Sequence, residues 1–197
     1  MIWWCRARLL VPVLLPGLLT FALGLVVARD DAIALPSFFN AGGNRIAFVQ
    51  VLPLMVSSTL AYAMTQRLTE AEALARRPIA LLDTGLSAAA GFLALAASVT
   101  VWHFGGSQES LAAGRNTLFL IGLMLIAARI NSQAATLTPV AWMFAMLFIG
   151  FKDHHRPWFW AVTLHRADFA PTFALCALVF IAGLATNLSS RSSFEKA

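Results

Sequence analysis

Side chains that could carry chemistry are scarce in this sequence, and a group of them lies in QRLTEAEALARRP, Gln66 to Pro78. Its charged and capping members are Arg67, Thr69, Glu70, Glu72, Arg76 and Arg77. Thr69 followed three residues later by Glu72 is the pattern of a capping box, in which each side chain bonds the other's backbone amide. Acidic residues come first and arginines last, which matches the helix dipole, and Glu72 and Arg76 form a favourable i,i+4 pair. The stretch predicts a helix of about two turns over 69–77, ended by Pro78.

Two roles fit such a helix. It is either a capped connector whose arginines meet lipid phosphates, or a rigid element that a cytosolic partner grips. Nothing in the local pattern separates these roles.

A second polar stretch, Phe151 to Phe169, carries imidazoles and carboxylates that could bind a metal ion. Its candidate ligands are Asp153, His154, His155, His165 and Asp168. A zinc site needs three or four converging ligands, and two adjacent histidines rarely chelate one ion. We therefore favour a polar rim that contacts substrate or lipid headgroups, and we expect no metal.

Polar side chains inside the apolar runs form a third group. Gln50 and Ser57 fall near one face of the second run, and Thr84 and Ser87 lie on a stripe of the third. Because polar groups within a membrane are costly and tend to face the bundle interior, these four are the candidate substrate path. Small residues on a stripe also indicate close helix packing, which is the favoured interpretation of the stripe as a whole.

Catalytic patterns are weak. The letters GLSA, Gly85 to Ala88, lack the final glycine of an intramembrane serine protease turn, and His165 lies before the last apolar run rather than inside it. Cys5 and Cys176 form no metal or redox spacing, and there is no GxxxxGK[ST] phosphate loop. Asp83, near the start of the third run, is predicted to pair with an arginine rather than to carry protons. We expect no enzymatic activity in this chain.

Composition identifies the elements that must position these residues. The chain is 59% hydrophobic and 12% charged, whereas globular chains average about 45–50% apolar and about 25% charged. A bilayer core of about 30 Å needs roughly 20 apolar residues per helical span. Six apolar runs fit this requirement, over residues 9–28, 45–64, 79–104, 113–130, 134–151 and 169–187. The sequence predicts a single all-α transmembrane domain over residues 1–197.

Charge distribution bears on orientation and partners. Lys and Arg number 14 against 9 acidic residues, without a basic run, so a nucleic-acid partner is not expected. With an even number of spans, both termini lie on one side. The positive-inside rule places them in the cytosol by a small margin, with Arg115 counted among the outer loop charges, and puts residues 66–78 in the cytosol as well.

The layout as a whole resembles the permease subunits of type-2 ATP-binding-cassette exporters, and the small actinobacterial kind in particular. The likeness is carried by RRPIALLDTG entering span three, GRNTLFLIGLMLIAARI as span four, TLTPVAWMFAMLFIG as span five, and PWFWAVTLHRADFAPTFALCALVFIAG leading into span six. It covers most of the chain, through layout more than through a signature.

This resemblance implies a function and a set of partners. The helix at 69–77 would be the coupling helix, with Thr69, Glu70, Glu72, Arg76 and Arg77 facing a separate cytosolic ATP-binding subunit that holds ATP and Mg. A second permease chain, identical or sister, would complete a dimer in the bacterial cell membrane. The apolar stretch Pro157 to Leu164 would dip partly into the membrane. The cargo would be a peptide, an antibiotic or a lipid-like molecule.

One alternative of similar size also has six helices. It is the substrate-binding membrane component of a vitamin uptake transporter of the energy-coupling type, which docks on its partner through small residues of its first helix. The first span here offers Gly17, Ala22, Gly24 and Ala28 but no AxxxA pattern, which weakens this alternative.

Overall fold

The computed structural model describes residues 10–27, 32–35, 44–65, 79–153 and 156–189, and this part of the chain is predominantly helical. Its helices are α1 Leu15–Val27, α2 Pro53–Thr65, α3 Ile79–His103, α4 Gln108–Ala127, α5 Ser132–Ile149 and α6 Ala170–Ser189. A π-helical turn, Leu10–Leu14, precedes α1. Short 3-10 turns, Phe48–Gln50 and Val162–Leu164, precede α2 and α6. Each predicted apolar run therefore overlaps one helix.

Five of these helical segments are long and apolar enough to cross a membrane. They are Phe48–Thr65, Ala80–His103, Gln108–Ala127, Ser132–Ile149 and Ala170–Ser189. The first apolar run gives a shorter apolar helix, Val11–Val27, within the described residues. Within the described residues, the structure thus supports a multi-pass membrane protein with five full-length candidate spans, and the first of the six predicted spans is represented by the shorter helix.

Helix α4 begins earlier than predicted. Its N-cap is Ser107, in an extended conformation, and Glu109 lies in the first turn, where a carboxylate interacts favourably with the helix dipole. The preceding turn contains Gly105 with a φ of 92°, a conformation that favours glycine. The helix starts five residues before the predicted run, because the polar residues of the first turn belong to it. Arg115, counted above among the outer charges, lies about two turns inside α4.

Two short antiparallel strand pairs, which the sequence did not predict, occupy connections between helices. Strand β1, Ala32–Leu35, pairs with β2, Asn44–Ala47, between α1 and α2. Strand β3, Phe151–Asp153, pairs with β4, Arg156–Pro157, directly after α5. In each pair the strands use one another as hydrogen-bond partners, which satisfies backbone groups that the helices do not reach.

Helix α4 lies at the centre of the bundle and packs against α2, α3, α5 and α6. Most of its residues are buried, and Leu120 and Ile121 are fully enclosed. The same burial applies to three consecutive polar residues, Arg115, Asn116 and Thr117. Because buried polar groups are costly without partners, these side chains must be satisfied inside the protein.

Small residues let α4 approach its neighbours closely. A Cβ atom at Gly122 would lie 2.5 Å from the carbonyl oxygen of Val179 in α6, and one at Gly183 would lie 2.6 Å from the carbonyl oxygen of Gly122. On the α3 side, a Cβ at Gly114 would lie 2.7 Å from Oγ of Ser98. The packing interpretation of small residues on the α3 stripe is confirmed at Ser98, and Gly91 likewise lies close to side chains of α4 and α6.

Replacing Gly122 with alanine is expected to destabilise the protein by about 1–3 kcal/mol, because the added methyl group would force the backbones of α4 and α6 apart. The measurement is the thermal unfolding midpoint of the purified protein in lipid nanodiscs.

Gly85→Ala in α3 is the matched control, since nothing lies within 4 Å of a Cβ at that position. Alanine favours helix over glycine, so this variant should be as stable as the original or slightly more stable. Equal midpoints for the two variants would contradict the close α4–α6 contact.

Candidate functional site

The connection between α5 and α6 folds over one end of the bundle. We call residues 158–169 the cap segment, and the end that it covers, with Gln50 and the first turns of α4 and α6, the capped end. Within the segment, the amide of Ala161 donates to Trp158 O at 2.9 Å and that of Leu164 donates to Ala161 O at 3.0 Å. Residues 161–164 are buried. Non-helical backbone of this kind is tolerated in a membrane protein where the protein itself encloses it.

The side chain of Arg115, in α4, binds the cap segment. This side chain is only 1% exposed. One terminal nitrogen, Nη1, donates to Arg166 O at 3.0 Å. The other, Nη2, donates to His165 O at 2.7 Å and to Val162 O at 3.3 Å. The guanidinium therefore holds three backbone carbonyls that lie 47 to 51 residues away in sequence.

Neighbouring side chains complete this arrangement. Nη1 of Arg115 also donates to Oγ1 of Thr172, at 2.6 Å, in the first turn of α6. Both Nε and Nη2 donate to Oδ1 of Asn116, and Asn116 Nδ2 in turn donates to Thr163 O at 2.8 Å. We call Arg115, Asn116 and Thr172 the arginine clamp. It joins α4, the cap segment and α6 through buried hydrogen bonds.

The guanidinium of Arg115 is buried, and the acceptors that contact it directly are all neutral oxygen atoms. Burying a cation costs several kcal/mol, and hydrogen bonds to a charged group each return about 1.5–3 kcal/mol. Arginine suits this role because its planar fork presents five N–H donors in fixed directions. The carboxylates of Glu109 and Asp168 add electrostatic attraction at longer range.

A cavity of about 390 Å³ opens at the capped end, beside the clamp. Its lining includes Gln50, Phe151, Arg166, Asp168 and Phe169. Nε2 of Gln50 donates to Oε2 of Glu109 at 3.3 Å, which ties the start of α2 to the first turn of α4. The imidazole of His165 stacks on the Phe169 ring, with centroids 5.0 Å apart. A cavity of this size suits a small organic molecule.

A second cavity, of about 340 Å³, lies at the opposite end of the bundle. Its lining comes from the last turn of α2, from the C-terminal part of α4 and from the start of α5, and includes Met64, Thr65, Met124 and Ser132. The two cavities thus lie near opposite ends of α2, since Gln50, in the turn before it, lines the first and Thr65, its last residue, lines the second.

The four residues of the candidate substrate path are all buried in the bundle. Gln50 reaches the cavity at the capped end. Ser57 donates to Pro53 O and Leu54 O of its own helix, and Ser87 donates to Asp83 O. Thr84 donates to Ala80 O and accepts from Nδ2 of Asn187 in α6, at 3.0 Å. Of these four residues, only Gln50 is in the lining of one of the two cavities described above.

Several predicted residues lie outside the part of the chain that the structure describes. These are the coupling-helix residues Thr69, Glu70, Glu72, Arg76 and Arg77, and also His154 and His155 of the polar stretch. Of the other residues in that stretch, His165 and Asp168 line the cavity at the capped end. The predicted polar rim is therefore represented by these two residues and Arg166.

Sequence reasoning missed the arginine clamp. The signal was present, because an arginine followed by asparagine sits within an otherwise apolar run, and an intramembrane charge indicates an interior partner. Its acceptors are backbone carbonyls, however, and no side-chain pattern encodes those. Thr172 could have been suspected only after the cap segment had been placed.

Arg115→Met is expected to destabilise the cap segment by about 3–5 kcal/mol, because it leaves several buried acceptors without a donor. Arg115→Lys should have an intermediate effect, since an ammonium group cannot reach acceptors spread around a guanidinium. The measurement is the rate of proteolytic cleavage within residues 158–169, together with the unfolding midpoint.

Arg129→Met is the matched control, because Arg129 is exposed beyond the other end of α4. Its cleavage rate should equal that of the original protein. Unchanged cleavage in Arg115→Met would show that the clamp does not hold the cap segment.

Comparison with models of protein families, with curated proteins and with solved structures finds no match for this chain. What is established is a helical protein with five apolar helices that could span a membrane. The resemblance to exporter permeases rests on the sequence layout and stays a prediction. Function is therefore argued from the geometry of the two cavities and the clamp.

Proposed function

We propose that this chain is the membrane permease subunit of a transporter in the bacterial cell membrane, most similar to a type-2 ATP-binding-cassette exporter. The observation that carries the proposal is the pair of cavities at opposite ends of the bundle, one lined by Gln50 just before α2 and the other by the last turn of α2. A protein that moves a molecule across a membrane needs access from each side and a barrier between the two. The layout of α2 supplies both features.

The barrier is a layer of apolar side chains. Val56 and Leu60 of α2 are fully buried, and they belong to the main core cluster together with Ile121 and Met124 of α4. Between Pro53 and Ala61 this part of α2 is about 12 Å long, at 1.5 Å per residue. Ser57 is fully buried within it. A substrate could pass only if α2 moved relative to α4, which is the motion that alternating access requires.

The segment predicted to couple this motion to ATP hydrolysis connects α2 with α3. Helix α2 ends at Thr65 and α3 begins at Ile79, so residues 66–78 join them directly. Oγ of Ser87 in α3 lies 3.7 Å from Sδ of Met64 in α2. A force applied to the segment by a cytosolic ATP-binding subunit would reach both helices at their cytosolic ends. ATP and Mg would be held by that subunit, and a second permease chain would complete the transporter.

The vitamin-binding alternative is less well supported. It needs small residues of the first helix free to dock on a partner. Gly17 and Gly24 of α1 instead pack inside this chain, because a Cβ at these positions would lie 2.5 Å from Thr59 of α2 and 2.6 Å from Leu52 just before α2. Two small positions of α1 are therefore already used in packing inside this chain.

The proposed orientation, with both termini in the cytosol, predicts which turns face outward. Phe104, 82% exposed, lies between α3 and α4, and Ile130, 79% exposed, lies between α4 and α5. In a background lacking Cys5 and Cys176, Phe104→Cys should react with an impermeant maleimide on intact cells. Ile130→Cys should react only after the cells are opened. The reverse result would place residues 66–78 outside, where no ATPase could bind them.

Glu72→Arg is expected to weaken binding of the ATP-binding subunit by about tenfold or more, because it reverses a charge at the proposed interface and removes the predicted pair with Arg76. The measurement is the affinity of the purified permease in nanodiscs for the ATP-binding protein that co-purifies with it, together with the ATPase rate of the complex.

Arg129→Glu is the control, a charge reversal on the same predicted side of the membrane but outside the segment. It should bind the ATPase as the original does. If Glu72→Arg also binds normally, residues 66–78 are only a connector. If the unmodified chain recruits no ATPase at all, the proposed function fails.

A further inference from the structure

The described lining of the cavity at the capped end includes one charged side chain of each sign. Arg166 and Asp168, both exposed, lie in this lining, two residues apart on the cap segment. Within the described residues, neither side chain forms a salt bridge. A purely anionic or purely cationic ligand would face one like charge, which is unfavourable. A ligand that carries both charges would satisfy both residues.

Backbone geometry adds a second source of positive potential. The carbonyls of His165 and Arg166 point at the Arg115 guanidinium, to which they are bonded. In a planar trans peptide the N–H points opposite to the preceding carbonyl, so the amides of Arg166 and Ala167 point away from Arg115. The amide of Arg166 has no acceptor within the described residues, and Arg166 lines the cavity. This N–H adds a hydrogen-bond donor for an anionic group.

The rest of the lining suits an apolar portion of the same molecule. Phe151 and Phe169 border the cavity, and the Phe169 ring is 47% exposed. Aromatic faces also attract ammonium groups, which supplements the carboxylate of Asp168. The carboxamide of Gln50, which donates to Glu109, adds a neutral polar group to the lining.

We propose that this cavity binds a small zwitterion, with its ammonium group at Asp168 and its acidic group at the side chain and backbone amide of Arg166. Two sources share this chemistry, namely a free amino acid or short peptide and the headgroup of an ethanolamine phospholipid. As a statement about the transported substrate, the inference rests on the proposed function. As a statement about a binding site, it stands on the cavity alone.

The test uses the purified full chain in nanodiscs of phosphatidylglycerol, a lipid without an amine. Isothermal titration calorimetry measures binding of alanyl-phenylalanine, its N-acetylated form and its C-terminal amide, and separately of glycerophosphoethanolamine. At least one zwitterionic probe should bind. If the dipeptide does, it should bind about tenfold or more tightly than either blocked form, a difference of about 1.4 kcal/mol. Preference for one zwitterion over the other identifies the source.

Two variants test which residue binds the ammonium group of the ligand and which binds its acidic group. Asp168→Asn should abolish the preference for a free over an acetylated amine, and Arg166→Gln should abolish the preference for a free acid over an amide. For glycerophosphoethanolamine, either variant should weaken binding by about tenfold or more. Arg129→Gln, on an exposed arginine outside the cavity, should bind each probe as the original does.

The proposal would be overturned if neither blocking group weakened binding of the dipeptide, or if neither zwitterion bound. Because Arg166 and Asp168 are exposed, their substitution should leave the unfolding midpoint unchanged. If a variant did not fold, binding of the three dipeptides and of glycerophosphoethanolamine to the original chain would still test whether the cavity binds a zwitterion. The calorimetry is done without an ATPase, so its result does not depend on the proposed function. If the chain binds a zwitterion but recruits no ATPase, this proposal stands and the proposed function fails.

Discussion

The need to satisfy one buried cation determines how the capped end of this protein is built. Arg115 lies about two turns inside the central helix, in an environment from which water is excluded. Its guanidinium donates to backbone carbonyls of Val162, His165 and Arg166 and to the hydroxyl of Thr172. Those acceptors can converge only if the chain between α5 and α6 folds back over α4. The cap segment, the start of α6 and one wall of the cavity follow from that requirement.

The same interaction divides the bundle into parts with different kinds of contact. Helices α4 and α6 and the cap segment are joined by buried hydrogen bonds and by the backbone approach at Gly122 and Gly183. Helix α2 meets α4 largely through apolar side chains in the main core cluster, with the 3.3 Å hydrogen bond between Gln50 and Glu109 at the capped end. Apolar contacts are not directional, so they permit sliding more readily than a network of charged hydrogen bonds. This difference suits a transporter in which α2 moves against a fixed α4.

Much of the helical framework could be predicted from sequence, because apolar runs of membrane length leave the backbone few choices. The third run illustrates this, since Pro78 and the apolar letters after it predict a helix over 79–104 and the structure has Ile79–His103. The start of α4 was misplaced because Gln108 and Glu109 look like loop residues, although a helix's first turn favours an acidic side chain. The strand pairs escaped prediction because their pairing is decided between segments that are short and without a distinct pattern.

The candidate site was less predictable than the framework. The polar stretch from Phe151 to Phe169 was recognised, and His165 and Asp168 do line a cavity. What positions them is Arg115, whose acceptors are main-chain atoms about 50 residues away. Contacts of this kind depend on the tertiary fold and leave no spacing in the sequence. The coupling residues of 66–78 stay a prediction from local pattern and resemblance.

The central claim is that the arginine clamp makes the cap segment an integral part of the folded bundle. Hydrogen–deuterium exchange of the unmodified protein in lipid nanodiscs tests this most directly. The account predicts slow exchange at the amides of Ala161, Val162 and Leu164, which are buried and donate to Trp158, Trp160 and Ala161. Their protection should approach that of α4. Exchange as fast as that of exposed Ile130, in the turn after α4, would contradict it.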